Sequence, residues 1–112
     1  MSRYLEFLAA SSQRVGSSLC VGIDPDPAHL SPEHAASVAG LREWVRILIN
    51  ATAQYAAAYK VNLAFFEAYG ADGAALAEEI RALTPAETPL IMDVKRGDIG
   101  NTVKAQARAL FD

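Results

Sequence analysis

Apolar positions along this chain fall into two alternating patterns: short continuous runs, and longer stretches at helical spacing. Between Arg3 and Val15, Tyr4, Leu5, Leu8 and Ala9 recur at helical spacing behind Ser2, which predicts a capped helix closed by Gly16. Ser18 to Ile23 is a short apolar run and predicts a buried strand. It stops at Asp24-Pro25-Asp26-Pro27, where two prolines forbid further ladder pairing or helix. Ser31-Pro32-Glu33 predicts a helix start with proline at the first helical position. A longer helical pattern runs from about Leu41 to Ala57, with Trp44, Val45, Leu48 and Thr52 on one stripe. Ala58 to Phe65 predicts a second strand, and Asp72 to Leu83 an alanine-rich helix capped by Asp72 and closed by Thr84-Pro85. The third strand is expected over Pro89 to Lys95, followed by a loop over Arg96 to Gly100. Asn101 or Thr102 then opens a last helix that runs to the terminus.

The strands recur roughly every 30 to 40 residues, the spacing of βα units, so a parallel sheet with helices outside it is expected. A closed eight-fold barrel takes roughly 250 residues. The 112 residues hold about three units, which makes the whole chain (1–112) either the truncated N-terminal part of one barrel domain or a small open α/β domain. The last helix stops without a terminating signal, which favours the truncated barrel.

Composition narrows this picture without changing it. Hydrophobic residues at 52% and charged residues at 21% are ordinary for a globular protein and argue against disorder. The net charge of −3 offers no broad basic surface for nucleic acid. The apolar runs are too short to span a membrane, and the N-terminus lacks the apolar core of a secretory signal. A cytoplasmic location is the default expectation. Cys20 is the single cysteine and can form no intrachain disulfide; its apolar surroundings predict a small buried core residue. His29 and His34 are expected on the surface, with no spacing that suggests a metal site.

Charges stand where buried strands should have none. Asp93 and Lys95 interrupt the third strand near its C-terminal end, the end where parallel α/β folds carry their chemistry. Side chains two apart on a strand share a face, so these two are expected together, with Asp98 following in the loop. A structural ion pair with a solvated Arg96 is the plain alternative. Lys60 repeats the pattern in the second strand, with Asn62 on its face, and Asp24 follows the first strand directly. Taken singly, Lys60 could be a snorkelling edge lysine and Asp24 an ordinary Asp-Pro turn. Burying charge is costly unless it is paired or used, and three successive strands ending in Asp24, Lys60 and Asp93/Lys95 predict one alternating array. Such an array holds lysines protonated and carboxylates ionised, and could deliver a proton and stabilise a carbanion without a metal.

Asp93-Val-Lys95-Arg-Gly-Asp98-Ile-Gly-Asn-Thr102 resembles the Asp-x-Lys-x-x-Asp signature of the orotidine 5'-phosphate decarboxylases. Val21 to Asp26 and Tyr59 to Gly70 resemble the flanking motifs of that family's longer bacterial branch, in the same order, so the likeness covers nearly everything from Leu19 onward. The resemblance implies a (β/α)8 TIM barrel, a homodimer with shared active sites, and no metal or other cofactor. It implies decarboxylation of orotidine 5'-monophosphate to uridine 5'-monophosphate in de novo pyrimidine biosynthesis. On this likeness Lys95 would protonate C6, Asp93 would lie beside the substrate carboxylate, and Lys60 would complete the network and touch the ribose. Asp24 would bind ribose hydroxyls, while Asp98, with Ile99 and Thr102 beside it, would serve the neighbouring subunit's site. Asn62 and Phe65 match family-like positions without an assignable role, and Phe65 and Phe66 are expected to be core packing.

The departure from the family is length, because its phosphate-gripping arginine and mobile loop belong to later strands. Since remote phosphate contacts supply energy used at the reacting centre, the 112-residue chain alone is expected to have negligible activity. Two other functions stay open at this point. One is a metal-dependent sugar-phosphate synthase or decarboxylase of the same superfamily, which would want a carboxylate on the second strand where this chain has Lys60. The other is a non-catalytic half-barrel fragment. A general nucleotide-binding domain is disfavoured, because no glycine-rich phosphate motif follows any strand.

Overall fold

A computed structural model describes residues 2–112. The first helix, α1 (Arg3–Val15), is capped by the Ser2 side chain, which accepts from the Leu5 amide, and ends at Gly16 with φ 64°. Three parallel strands follow in spatial order β1-β2-β3: β1 (Cys20–Ile23), β2 (Ala58–Asn62) and β3 (Leu90–Asp93). Between β1 and β2 lie a short α2 (Pro32–Ala35) and α3 (Val38–Thr52). Between β2 and β3 lie α4 (Leu63–Glu67) and α5 (Gly70–Leu83), and α6 (Gly100–Phe111) follows β3. These are three successive βα units.

The sheet has two unlike faces because alternate residues point to opposite sides. Ile23, Tyr59 and Val61 turn to the helices and are fully buried with Leu41, Val45, Ile49, Phe66, Leu76 and Ile80. Their in-register neighbours on the other face are Cys20, Gly22, Ala58, Lys60, Asn62, Ile91 and Asp93. That face is apolar at the N-terminal ends of the strands, where α1 leans on Cys20, Ala58 and Ile91, and charged at the C-terminal ends.

Several elements differ from the sequence expectation. The second strand stops at Asn62 rather than Phe65, because Leu63–Glu67 winds into α4 and carries Phe66 into the core, while Phe65 is half-buried. Burial of one large ring here outweighs the β preference of the aromatic run. Helix α3 starts earlier than Leu41, at Val38, where the Ser37 hydroxyl accepts from the Gly40 amide. It also ends at Thr52, so that the Ala57 amide can bond the Leu19 carbonyl. Helix α5 begins at Gly70, whose φ of 71° turns the chain sharply out of α4, so Asp72 sits in the first turn and is not the cap. There its charge favours the helix dipole.

Cys20 is exposed, not buried, because it lies on the open face of the sheet, where α1 borders it across a groove without covering it. Ile91 lies on the same open face and Met92 on the helix side of an edge strand, and they are 37% and 40% exposed rather than buried. On the helix side Met92 and Val94 open onto a groove of about 770 Å³ shared with Phe7 and Phe111. His29 is exposed as expected, whereas His34 is half-buried with its Nδ1 2.9 Å from the Ser31 hydroxyl. Among the described residues, no helix is long and apolar enough to cross a membrane.

Candidate functional site

The charged end of the open face gathers four side chains from three strand ends. The Lys60 ammonium lies 3.8 Å from Asp24 Oδ1 and 3.7 Å from Asp93 Oδ2, so one lysine on the central strand bridges carboxylates from both neighbours. The Lys95 ammonium donates to the same Asp93 Oδ2 at 2.5 Å. The order across the sheet is therefore Asp24, Lys60, Asp93, Lys95, alternating in sign. The hydrogen bond from Lys95 holds the Asp93 carboxyl below its usual range; the charges of Lys95 and Lys60 add to this, against partial burial that pushes it up.

Lys95 reaches this position by a different route from the one that strand alternation suggests. The strand ends at Asp93, and Lys95 stands beyond it with φ 48°, the one positive-φ non-glycine residue among those described. Its ammonium meets Asp93 because the backbone turns, not because both side chains project from one strand. The left-handed conformation costs a non-glycine residue roughly 1–2 kcal/mol, and such strain persists only where the surroundings impose it.

Asp98, Ile99 and Thr102 are not brought to the four charges. Asp98 Oδ1 accepts from the Ile99 amide at 2.8 Å, Ile99 is 84% exposed, and Thr102 is exposed on the first turn of α6. Among the described residues none of the three touches Lys60, Asp93 or Lys95.

Two features of the site escape a reading of the sequence. Asn62 pairs in register with Asp93, and its Oδ1 is buried without a hydrogen-bond partner among the described residues. Arg96 is paired although exposed: it donates through Nη1 to the Val94 carbonyl at 2.8 Å and through Nη2 to Glu67 on α4. No periodicity links positions 29 residues apart, so only the fold reveals that pair.

Residues 17–112 match the family described as orotidine 5'-phosphate decarboxylase / HUMPS. The orotidine 5'-phosphate decarboxylase of Dehalococcoides mccartyi is 46% identical over 98% of this chain and 39% of its own length. The solved structure of Leishmania donovani OMP decarboxylase is 38% identical, superposes with a TM-score of 0.78, and is matched over 100% of this chain and 40% of that one. Leishmania donovani UMP synthase gives a TM-score of 0.80 at 38% identity, over 100% of this chain and 23% of that one. The chain thus spans about 39% of the length of the curated relatives it matches.

Proposed function

Because this chain belongs to the orotidine 5'-phosphate decarboxylase / HUMPS family, we propose that the barrel containing it converts orotidine 5'-monophosphate to uridine 5'-monophosphate, in pyrimidine biosynthesis, without a metal or other cofactor. The observation that carries this reading is the place of Lys60. Its ammonium stands within 4 Å of both Asp24 and Asp93, where a metal-dependent sugar-phosphate synthase would hold a divalent cation between oxygens. A fixed positive charge there repels that cation.

In the proposed reaction the bond from C6 to the substrate carboxylate breaks and carbon dioxide leaves. The electron pair stays on C6, and Lys95 supplies a proton to it. Asp93 lies beside the departing carboxylate and keeps the Lys95 ammonium aimed, while Lys60 ties Asp93 to Asp24 and stabilises the developing negative charge. Asp24, with its side chain 46% exposed, is free to bind ribose hydroxyls alongside Lys60.

Asp98, Ile99 and Thr102 are assigned to the site of a second subunit in a homodimer. That they make no hydrogen bond or ion pair with this chain's own four charges among the described residues, and that an isoleucine is left 84% exposed, support that assignment. The phosphate-binding residues would come from later strands, and the 112-residue chain by itself is inactive on this reading.

The test is decarboxylation of orotidine 5'-monophosphate in excess EDTA by the chain extended to the length of its relatives. Turnover in EDTA that disappears in Lys95→Ala supports the reading. Activity only on sugar phosphates, and only with magnesium, would replace it with the sibling chemistry.

A further inference from the structure

We propose that Arg96 and Glu67 form a positioning pair that holds Lys95 in its reacting geometry; this rests on the decarboxylase reading above for the identity of the reaction. Lys95 lies outside the strand, in a left-handed conformation that its own backbone disfavours, and its side chain is 63% exposed. Neither a ladder hydrogen bond nor packing explains why the ammonium should stay on Asp93. The Arg96 guanidinium does. One of its nitrogens grips the Val94 carbonyl, the peptide group just before Lys95, at 2.8 Å. Another grips Glu67 on α4, the helix that continues directly from β2 and Lys60. Lys95 is therefore clamped from both sides in sequence, by Val94 and Arg96, and the clamp is anchored to the βα unit that carries the other lysine.

The chemistry of arginine suits this task. Its planar fork makes two hydrogen bonds in fixed directions, which a lysine at the same position cannot do. Both side chains of the pair are only 38% and 40% exposed, so the link is partly shielded from water. Arg96 and Glu67 line the groove on the helix side of β3 and touch none of the four charges, so they act through Lys95 and not on the substrate.

The experiment compares Arg96→Gln, Arg96→Lys, Glu67→Gln and the Arg96→Gln/Glu67→Gln double variant in the full-length barrel. Arg42→Gln, which breaks a two-bonded ion pair between α3 and α5, serves as the control. Misplacement of a reacting group by about 1 Å costs up to roughly 100-fold. The expected result is a kcat lower by about 10- to 100-fold with KM within about twofold. Arg96→Lys should fail to restore the rate, the double variant should be no worse than Arg96→Gln, and the control should lose thermal stability only.

The second readout is the titration of the Asp93 carboxyl by carbon NMR, which should move upward in the Arg96 and Glu67 variants as Lys95 leaves it. Unchanged kcat together with an unmoved Asp93 titration would overturn the proposal. If the parent barrel does not decarboxylate orotidine 5'-monophosphate, the functional reading fails by itself, and the Asp93 titration still decides whether the pair positions Lys95.

Discussion

Gly73→Ala is a substitution for which sequence and structure predict opposite signs. Gly73 lies inside the alanine-rich α5, and replacing an interior helical glycine by alanine ordinarily stabilises by about 1 kcal/mol. In the fold, however, a Cβ on Gly73 would stand 2.0 Å from the Phe66 carbonyl oxygen and 2.7 Å from Tyr69 Cβ. A carbon–oxygen contact relaxes at about 3.3 Å, so α4 and α5 must separate by about 1 Å. The obstacle is backbone and cannot swing aside. Phe66 is fully buried, and the Tyr69 hydroxyl is tied to the Ala35 carbonyl at 2.9 Å. Overpacking with a backbone shift costs about 3 kcal/mol. Subtracting the helical gain leaves a net loss of about 2 kcal/mol. In a barrel-sized domain this lowers Tm by about 4–8 °C. The assay is thermal and urea unfolding followed by circular dichroism. A Tm equal to or above the parent's would refute the close approach of α4 to α5. The same shift should disturb the site, because α4 continues from the strand carrying Lys60 and bears Glu67.

Other consequences can be checked alongside. Asp93 is held below the usual carboxylate range by the Lys95 hydrogen bond, so it stays ionised as pH falls through the values at which an ordinary aspartate protonates. A depressed folded-state value contributes stability above the unfolded value and loses it only as pH falls through the folded one. Lys95→Ala should therefore raise the Asp93 titration, and a downward move would contradict the pairing. If Asp98 serves the neighbouring subunit, Asp98→Ala and Lys95→Ala are each inactive, and random mixing of the two rebuilds an intact site in roughly a quarter of positions; no recovery on mixing would place Asp98 in its own subunit's site. Tyr59→Phe removes a buried hydroxyl that lies 2.8 Å from Thr52 Oγ1, yet Thr52 still donates to the Leu48 carbonyl. No donor is stranded, so the loss in a urea melt should be about 1 kcal/mol, and one above about 3 kcal/mol would show the network has been misjudged.

The parallel order of the strands and the meeting of Asp24, Lys60 and Asp93 were legible because both follow from period-two alternation and βα spacing. What the sequence could not display were features decided by tertiary packing. Leu63 to Phe65 read as the end of a strand, yet they wind into the helix that buries Phe66 in the core. Cys20 reads as core, yet it lies exposed on the open face of the sheet beside the groove under α1. Alternation suggests that Lys95 meets Asp93, but alternation ends at Asp93 and a left-handed turn completes the approach. The pairing of Arg96 with Glu67 is hidden from the sequence because 29 residues separate the two.

The register explains why this site needs a lysine at 60 and an amide at 62. Asn62 pairs with Asp93, and one step beyond the Ile23–Val61 pair Asp24 falls beside Asn62. The two carboxylates therefore flank position 62 on one level of the sheet. A third carboxylate at that position would put like charges side by side, which costs stability; asparagine keeps the polar character without the charge. The neutralising charge must then come from elsewhere on the same face, which means two residues lower, at 60. Two residues of a parallel strand rise about 6.6 Å. Lysine's four-carbon stem covers about that distance and ends in a compact charge, whereas a carboxylate at 60 would be too short and of the wrong sign. The ammonium arrives almost equidistant from the two acids, at 3.8 and 3.7 Å. Gly22, level with Lys60, keeps the neighbouring column free of a side chain beneath Asp24. The sheet thus builds its own counter-ion between the two acids, and a second ammonium needs only the turn after β3 to reach Asp93.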